Sequence, residues 1–300
     1  MKKKEKVGEG VGKHGRYGGL PDRFASEKDS KIAILPIPFD LTTTYEKGTD
    51  KGPGALIEAS RYMEIYDIET DSEVFRHGIY TAPGVKAKSS VKMLEEAYER
   101  TKELLDDGKF VVTLGGEHSI VYGPIKAHAE HFDKISVLQF DAHADLADAY
   151  ENNPWSHASA MARVKELKGV EKIVSVGIRS MAHGELANLD RPNTFFAHEI
   201  ENDPKWIDKV LKRLSKNVYI TFDLDAFDSS LMPSTGTPEP GGLFWYDALK
   251  LLRKVCEKKN VVGCDVVELL PRASDPAPDF VAAKLVYKIL SYKFKKKKLP

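Results

Sequence analysis

The stretch LQFDAHADLADAY, residues 138–150, places three ionisable side chains at alternate positions directly after an apolar run. In an extended chain, alternate side chains lie on the same face, so Asp141, His143 and Asp145 can all point to one side where a strand ends. On a helix, His143 would turn away from the two aspartates. The stretch therefore predicts a buried strand whose C-terminal end presents a cluster of ionisable groups.

Apolar runs rich in β-branched residues recur along the chain and alternate with amphipathic stretches. Strands are predicted at 31–38, 109–115, 135–141, 172–178, 217–223 and 261–267. Helices are predicted at 91–108, 203–216 and 246–259. This alternation predicts an α/β fold with a parallel sheet and helices on both faces.

Composition and the two ends of the chain narrow the class of protein. At 300 residues, with 45 basic and 45 acidic residues, the chain predicts one globular domain over 1–300 and favours neither nucleic acid nor membrane partners. Residues 1–25 are expected to form an extension that could be flexible, and 293–300 a lysine-rich tail. Because no signal peptide or long apolar run is visible, a cytoplasmic location is expected. The two cysteines, Cys256 and Cys264, are expected to be core thiols.

Two further predicted strands end in ionisable residues. YITFDLDAFD places Asp223 and Asp225 at alternate positions after an apolar run, and VVTLGGEHS places His118 after paired glycines. Each segment alone is compatible with an ordinary turn or strand-to-helix connection. Because ligands gather beyond the carboxyl ends of parallel strands, the three segments together predict one crevice that contains all six side chains.

Four aspartates in one crevice would repel one another unless cations lie between them. Two divalent ions balance four carboxylates, and ligation by carboxylate and imidazole without thiolate favours manganese over zinc or iron. Two such ions can hold a bridging water and lower its pKa, which makes hydroxide available as a nucleophile near neutral pH.

The segments LGGEHS, FDAHAD and FDLDAFD, in that order, resemble the signatures of the ureohydrolase family, which includes arginase, agmatinase and formiminoglutamase. The resemblance extends from near Ile32 to near Ile289. It implies a three-layer α/β/α fold around a mainly parallel eight-stranded sheet, two Mn²⁺ ions per chain, and a homo-oligomer, either a trimer or a hexamer. The implied ligands are His118 and Asp145 for one ion, His143 and Asp225 for the other, and Asp141 and Asp223 as bridges. Thr221 and Ser229 depart from the usual pattern, but neither is an implied ligand.

The resemblance also implies a reaction, in which a metal-bridging hydroxide attacks the central carbon of a guanidinium substrate and urea and a primary amine are released. Glu268 in CDVVELLP matches the family's guanidinium-binding glutamate, and a carboxylate suits this planar cation. His157 in PWSHASAM matches the histidine that moves protons to the leaving amine. With the ligand Asp145, these two residues form the expected catalytic set.

Two positions bear on which guanidinium compound is the substrate. Ala147 and Ser180 stand where arginases carry asparagine and aspartate for the amino-acid end of arginine. A site without these partners favours a decarboxylated substrate, so agmatine is expected first and N1-aminopropylagmatine second. The segment between Asp145 and His157 is expected to discriminate between them. An arginase, a guanidinobutyrase, a guanidine hydrolase, a non-catalytic family member and a one-metal, deacetylase-like hydrolase are the alternatives.

Overall fold

A computed structural model describes residues 13–295, in which strands and helices alternate. The strands are β1 (Ile32–Ile37), β2 (Ile79–Thr81), β3 (Phe110–Gly115), β4 (Ile135–Phe140), β5 (Val170–Ile178), β6 (Thr194–Phe196), β7 (Asn217–Asp223) and β8 (Asn260–Val267). The α-helices are α1 (Gly52–Ser60), α2 (Ser90–Asp106), α3 (Tyr122–His131), α4 (Ala160–Lys165), α5 (Ala197–Ile200), α6 (Trp206–Arg213), α7 (Trp245–Lys258) and α8 (Ala277–Lys293). The alternation predicted from the sequence is confirmed.

The strands form one sheet in the order β2-β1-β3-β8-β7-β4-β5-β6, and all the pairings are parallel. The expected eight-stranded sheet is thus confirmed, and over residues 13–295 it is entirely parallel. The four central strands are β3, β8, β7 and β4. Their carboxyl ends lie side by side, and all the predicted ligands lie at or just beyond the ends of three of them.

Two apolar clusters cover the two faces of the sheet, which makes the fold a three-layer α/β/α structure. Side chains alternate along β1: Ile32 and Ile34 belong to one cluster, Ala33 and Leu35 to the other. The first cluster includes buried residues of α1, α6, α7 and α8. The second includes residues of α2, α3 and α4. Burial on both faces explains why these strands are nearly continuous apolar runs.

The sheet differs from the sequence-based prediction mainly at its two edge strands, and helices α1, α3, α4, α5 and α8 were not predicted from periodicity. The two strands that the sequence did not predict, β2 and β6, are three-residue strands at opposite ends of the sheet. Three residues are too few to show an alternation of apolar and polar side chains, so neither strand could be predicted from its hydrophobic pattern. Of the two cysteines, Cys264 is buried in β8 as expected, whereas Cys256 on α7 is only partly buried.

The N-terminal segment is held against the fold where the structure describes it. Tyr17 is fully buried, and its hydroxyl donates a hydrogen bond of 2.8 Å to the Ala283 carbonyl of α8. Part of the extension that we expected to be flexible is therefore packed. The rest of it, residues 1–12, and most of the lysine-rich tail, 296–300, lie outside the described residues. Within 13–295, no helix has the length and apolar character needed to cross a membrane.

Candidate metal centre and substrate cavity

Four neighbouring strand ends bring the predicted site residues together. His118 follows β3, and Asp141, His143 and Asp145 follow β4. Asp223 is the last residue of β7, with Asp225 just beyond it, and Glu268 follows β8. Because β3, β8, β7 and β4 are adjacent in a parallel sheet, their carboxyl ends open into the same crevice.

The first group of ligand-type atoms surrounds His118, which is 1% exposed. Its Nδ1 lies 2.8 Å from Asp145 Oδ2, 3.2 Å from Asp141 Oδ2 and 3.5 Å from Asp223 Oδ2. The Nδ1 atom and the carboxylate oxygens of Asp141 and Asp145 lie close enough to hold one metal ion. The predicted pairing of His118 with Asp145 is thus present in the geometry.

The second group surrounds His143, whose Nδ1 lies 2.8 Å from Asp225 Oδ2 and 3.8 Å from Asp141 Oδ1. These three residues also form a set that could hold a metal ion. Asp141 therefore faces both groups, one with each carboxylate oxygen. Asp223, the other expected bridge, belongs to neither compact set. Its Oδ2 faces His118, while its Oδ1 accepts a hydrogen bond of 2.9 Å from the Asp225 backbone N–H.

The proton positions around His118 fit a bound cation. Thr221 donates its hydroxyl proton to Asp265 Oδ1 at 2.8 Å, so its oxygen must accept from His118 Nε2–H at 3.0 Å. The neutral ring then carries no proton on Nδ1. That buried atom has no hydrogen-bond partner among the described residues, although carboxylate oxygens surround it. A lone pair directed among carboxylates is unfavourable unless a cation lies between them, and ligating histidines usually hold their other ring nitrogen in this way.

The pKa values of the aspartates in the crevice also fit a bound cation. Burial, with the charges of Asp145 and Asp225, raises the pKa of Asp141 to about 7. Burial, with the charge of Asp225, also raises the pKa of Asp223 well above its usual range. Burial opposes the ionisation of Asp225, but the neighbouring charge of His143 outweighs it and holds the Asp225 pKa at about 2. Without metal, the cluster would thus take up protons to relieve its negative charge, so the donor set fits divalent cations.

Two site residues have backbone conformations that are unusual for their residue types. Asp145 has φ 55° and Glu268 has φ 64°, in the left-handed region that side chains with a Cβ rarely occupy. Such strain persists only where the surrounding structure imposes it, and it often marks functional positions. It allows each side chain to turn from a strand end into the crevice.

The crevice opens into a cavity, and Glu268 lies in its wall next to the predicted metal ligands. Its Oε1 accepts a hydrogen bond of 2.6 Å from the His118 N–H, and its own N–H donates to the Gly116 carbonyl at 2.8 Å. Burial, with the charge of Glu117, raises the pKa of Glu268 well above its usual range. A cationic ligand would relieve this unfavourable environment, as expected for a guanidinium partner.

His157 lies in the wall of the same cavity, in a 3-10 helix that precedes α4. Its Nδ1 is 3.2 Å from Thr42 Oγ1, and the ring packs edge-on against Tyr150 with centroids 5.6 Å apart. Seven of the eight predicted site residues line this cavity. The eighth, Asp141, does not line it but lies close to His118 and His143, which do.

Apart from Ala158, the rest of the cavity wall comes from three loops, in which sequence reasoning had singled out only Ser180. These are 43–46, 180–182 with Glu185, and 236–237. Ser180 lines the cavity as the substrate argument requires. Ala147 and the other residues of 146–156, where we expected discrimination, are not among the lining residues. We therefore expect the residues that discriminate between the candidate substrates to lie in these three loops.

Arg179 and Glu185 are two further residues whose role the motifs did not reveal. Arg179 donates to backbone carbonyls, including Asp225 O at 2.7 Å and Glu239 O at 2.8 Å, so it holds the segment that carries a metal-type ligand. Glu185 accepts from Leu146 N at 2.8 Å and Ala182 N at 2.5 Å. Arg179 directly follows a predicted strand, and this position could have indicated its role. No local sequence pattern indicated a role for Glu185.

Comparisons with known proteins agree with the fold and with the family that the motifs resemble. The family model described as "Arginase family" matches residues 30–291. The chain is 36% identical over 282 residues to the N(1)-aminopropylagmatine ureohydrolase of Synechocystis sp., covering 90% of this chain and 92% of that protein. It is 32% identical over 267 residues to the agmatinase of Pyrococcus horikoshii, covering 88% and 92%.

Among solved structures, the agmatine ureohydrolase of Thermoplasma volcanium superposes with a TM-score of 0.83 at 28% identity, covering 92% of this chain and 94% of that one. These likenesses extend over nearly the whole chain, and the matched segment contains every strand and every predicted site residue. The chain therefore belongs to the arginase family, whose members are hydrolases acting on the C–N bonds of guanidino compounds.

Proposed function

We propose that this protein hydrolyses agmatine to putrescine and urea. The observation that carries the proposal is the charge of the substrate cavity. Beyond the predicted metal ligands, its wall includes the carboxylates of Glu185 and Glu268, together with Glu46, which is ion-paired with Arg272 at 2.5 Å, and no lining residue within 13–295 is lysine or arginine. A substrate with a carboxylate at its far end, such as arginine or guanidinobutyrate, would meet an excess of carboxylates there, since the Arg272 guanidinium is already paired with Glu46. A substrate with an amine at that end would be attracted.

Two cations per chain are part of the proposal, with manganese as the metal. The carboxylate and imidazole donors suit it, and two groups of ligand atoms favour two ions over the one-metal alternative. When bound, such a pair of ions supplies hydroxide by lowering the pKa of water. The implied holders are His118 and Asp145 for one ion, His143 and Asp225 for the other, and Asp141 and Asp223 between them.

The chain's own residues supply binding and proton transfer in this scheme. Glu268 would bind the guanidinium group, since one of its oxygens already accepts from His118 N–H and the other remains to face the cavity. His157 would take up a proton at its Nε2 from water in the cavity and pass it to the leaving amine, because its Nδ1 is directed at Thr42. The presence of both residues in the cavity wall favours an enzyme over a non-catalytic family member.

N1-aminopropylagmatine, hydrolysed to spermidine and urea, is the second candidate substrate. It is favoured by the relative from Synechocystis sp., which carries this activity in its name. Like agmatine it lacks a carboxylate, so the charge of the cavity suits both compounds.

The experiment is a substrate panel with the full-length protein loaded with Mn²⁺. Urea release should be at least about 100-fold faster from agmatine or N1-aminopropylagmatine than from arginine or guanidinobutyrate, since an unpaired carboxylate charge costs several kcal/mol. Guanidine should also react more slowly, because it lacks the amine-ended chain that would bind the rest of the cavity. Faster release from N1-aminopropylagmatine would select the second candidate. A preference for arginine would contradict the argument from the cavity's charge. Trimeric or hexameric assembly, a single domain and a cytoplasmic location remain predictions.

A further inference from the structure

The loop that follows β1 is docked onto a single buried carboxylate. Glu117, which is 0% exposed, accepts hydrogen bonds from the backbone N–H groups of Leu41 at 2.9 Å, Thr42 at 2.6 Å and Thr43 at 3.2 Å. It also accepts from the hydroxyls of Thr42 at 2.8 Å and Ser119 at 2.5 Å. A buried carboxylate with this many donors holds its partners firmly, because each bond to an ion is stronger than a neutral one.

The backbone geometry next to Glu117 makes this docking possible. A Cβ atom on Gly116 would lie 2.1 Å from the Phe39 carbonyl oxygen, so only glycine allows the two segments to approach so closely. The Glu117 N–H then donates to that same carbonyl at 2.9 Å. Glu117 is consequently fixed beneath the loop, in the motif that also carries His118.

The hydrogen bonds of Thr42 extend this arrangement to His157. The Thr42 hydroxyl has one proton, and it goes to Glu117, which can only accept. The Thr42 oxygen must therefore accept from both its His157 neighbours, Nδ1–H at 3.2 Å and the backbone N–H at 3.0 Å. This places a proton on Nδ1 in the neutral ring and leaves Nε2 as the free nitrogen on the cavity side.

We propose that Thr42, held by Glu117, is a positioning residue that fixes the tautomer and orientation of His157 for proton transfer. The proposal rests on the proposed function, in which His157 passes a proton to the leaving amine. Thr42 acts only through His157 and does not itself contact the reacting atoms. The arrangement joins the β1 loop, the segment before His118 and the segment before α4 through one hydroxyl group.

The kinetic test replaces that hydroxyl in the full-length, Mn²⁺-loaded protein. Thr42→Val keeps the shape of the side chain and should lower kcat by about 10- to 100-fold, part of what a proton-transfer group contributes, with KM changed less than about threefold. Thr42→Ser should restore most of the rate. Thr49→Val is the matched control, because the Thr49 hydroxyl has no hydrogen-bond partner among the described residues; its kcat should match the wild type.

A double-mutant cycle separates positioning from a general effect on the loop. In a His157→Asn background, Thr42→Val should cost less than about twofold, since there is no imidazole left to position. If it costs the same in both backgrounds, or acts mainly on KM, the positioning role is overturned.

A second readout does not depend on turnover. Histidine ¹⁵N spectra, assigned for His157 by comparison with His157→Asn, should show the Nδ1–H tautomer in the wild type and in Thr42→Ser, and a mixture of tautomers in Thr42→Val. An unchanged tautomer in Thr42→Val would overturn the proposal even if activity fell. If no guanidino compound releases urea, the proposed function fails, and these spectra alone decide whether Thr42 positions His157.

Discussion

His118 and His128 are both buried histidines of the same strand-and-helix unit, yet their surroundings are opposite. His118 is 1% exposed and faces three carboxylates, whereas His128 on α3 is 0% exposed and lies against Tyr219 and the Gly263 backbone. Burial lowers the pKa of His128 to about 4. Burial acts in the same direction on His118, but the carboxylates of Asp141 and Asp145 outweigh it and raise the pKa well above its usual range.

The comparison shows that burial alone does not say what a histidine does. His128 donates Nδ1–H to the Pro124 carbonyl at 2.7 Å and is a neutral packing residue. His118 has a hydrogen bond on its other ring nitrogen, Nε2, which leaves Nδ1 directed at the carboxylates. Acidic neighbours attract positive charge, whether a proton or a metal ion, and only His118 has them. Three experiments test this difference between the two histidines.

The largest effect is expected from Asp223→Asn, which removes a carboxylate charge 3.5 Å from His118 Nδ1 while keeping its shape. The amide oxygen can still accept from Asp225 N–H, so the fold should be retained. Urea release and the affinity for Mn²⁺ should both fall by more than about 100-fold, beyond the 10–100-fold typical of an outer partner.

A urea assay and a Mn²⁺ titration measure the two quantities. Asp279→Asn is the control, because Asp279 on α8 is a partly buried carboxylate outside the crevice; it should keep both metal and activity. An Asp223→Asn protein with full metal content and full turnover would show that this carboxylate is not part of a metal site.

Removal of divalent cations should have the next largest effect. With Mn²⁺ at about a hundred times its dissociation constant, the free energy of unfolding should be about 3 kcal/mol higher than after chelation, because the ions bind only the folded site. Urea denaturation with and without chelator measures the difference. The gain should shrink in Asp223→Asn. If Mn²⁺ stabilises both proteins equally, it binds elsewhere.

The smallest effect concerns His128 and pH. Because its folded pKa of about 4 lies below the unfolded value, the unfolded chain binds more protons at mildly acidic pH. Its contribution to stability is therefore complete above about pH 6.5 and is lost as the pH falls toward 4. Between pH 7 and pH 5, wild type should lose about 2 kcal/mol more unfolding free energy than His128→Gln. Denaturation at the two pH values measures these losses. If wild type and His128→Gln lose the same unfolding free energy, His128 is not the group responsible.

Sequence patterns predicted most of the fold and the composition of the site. The six predicted strands are all present, with bounds that differ by two residues or fewer, because a strand buried on both faces must be an apolar run. The strands β2 and β6 were missed since their three residues carry no period. The alternate spacing of Asp141, His143 and Asp145 was sufficient to predict a shared face.

The residues whose roles could not be predicted from the sequence are those whose hydrogen-bond partners are distant in the chain. Thr42 meets His157 across 115 positions, and Glu185 reaches Leu146 across 39. No local period or motif reports such pairs, because they exist only when two loops meet over neighbouring strand ends. The positions of Glu46 and Glu185 in the cavity wall also became visible only there.

Local periodicity predicted the parallel sheet, and the spacing of residues within each segment predicted the chemical groups at the strand ends. The resemblance of three motifs to known signatures predicted the family. Tertiary structure alone decided which groups face each other. Two buried histidines of the same type became one group among carboxylates and one neutral packing residue, because the interaction between charges depends on distance in space and not on distance along the chain.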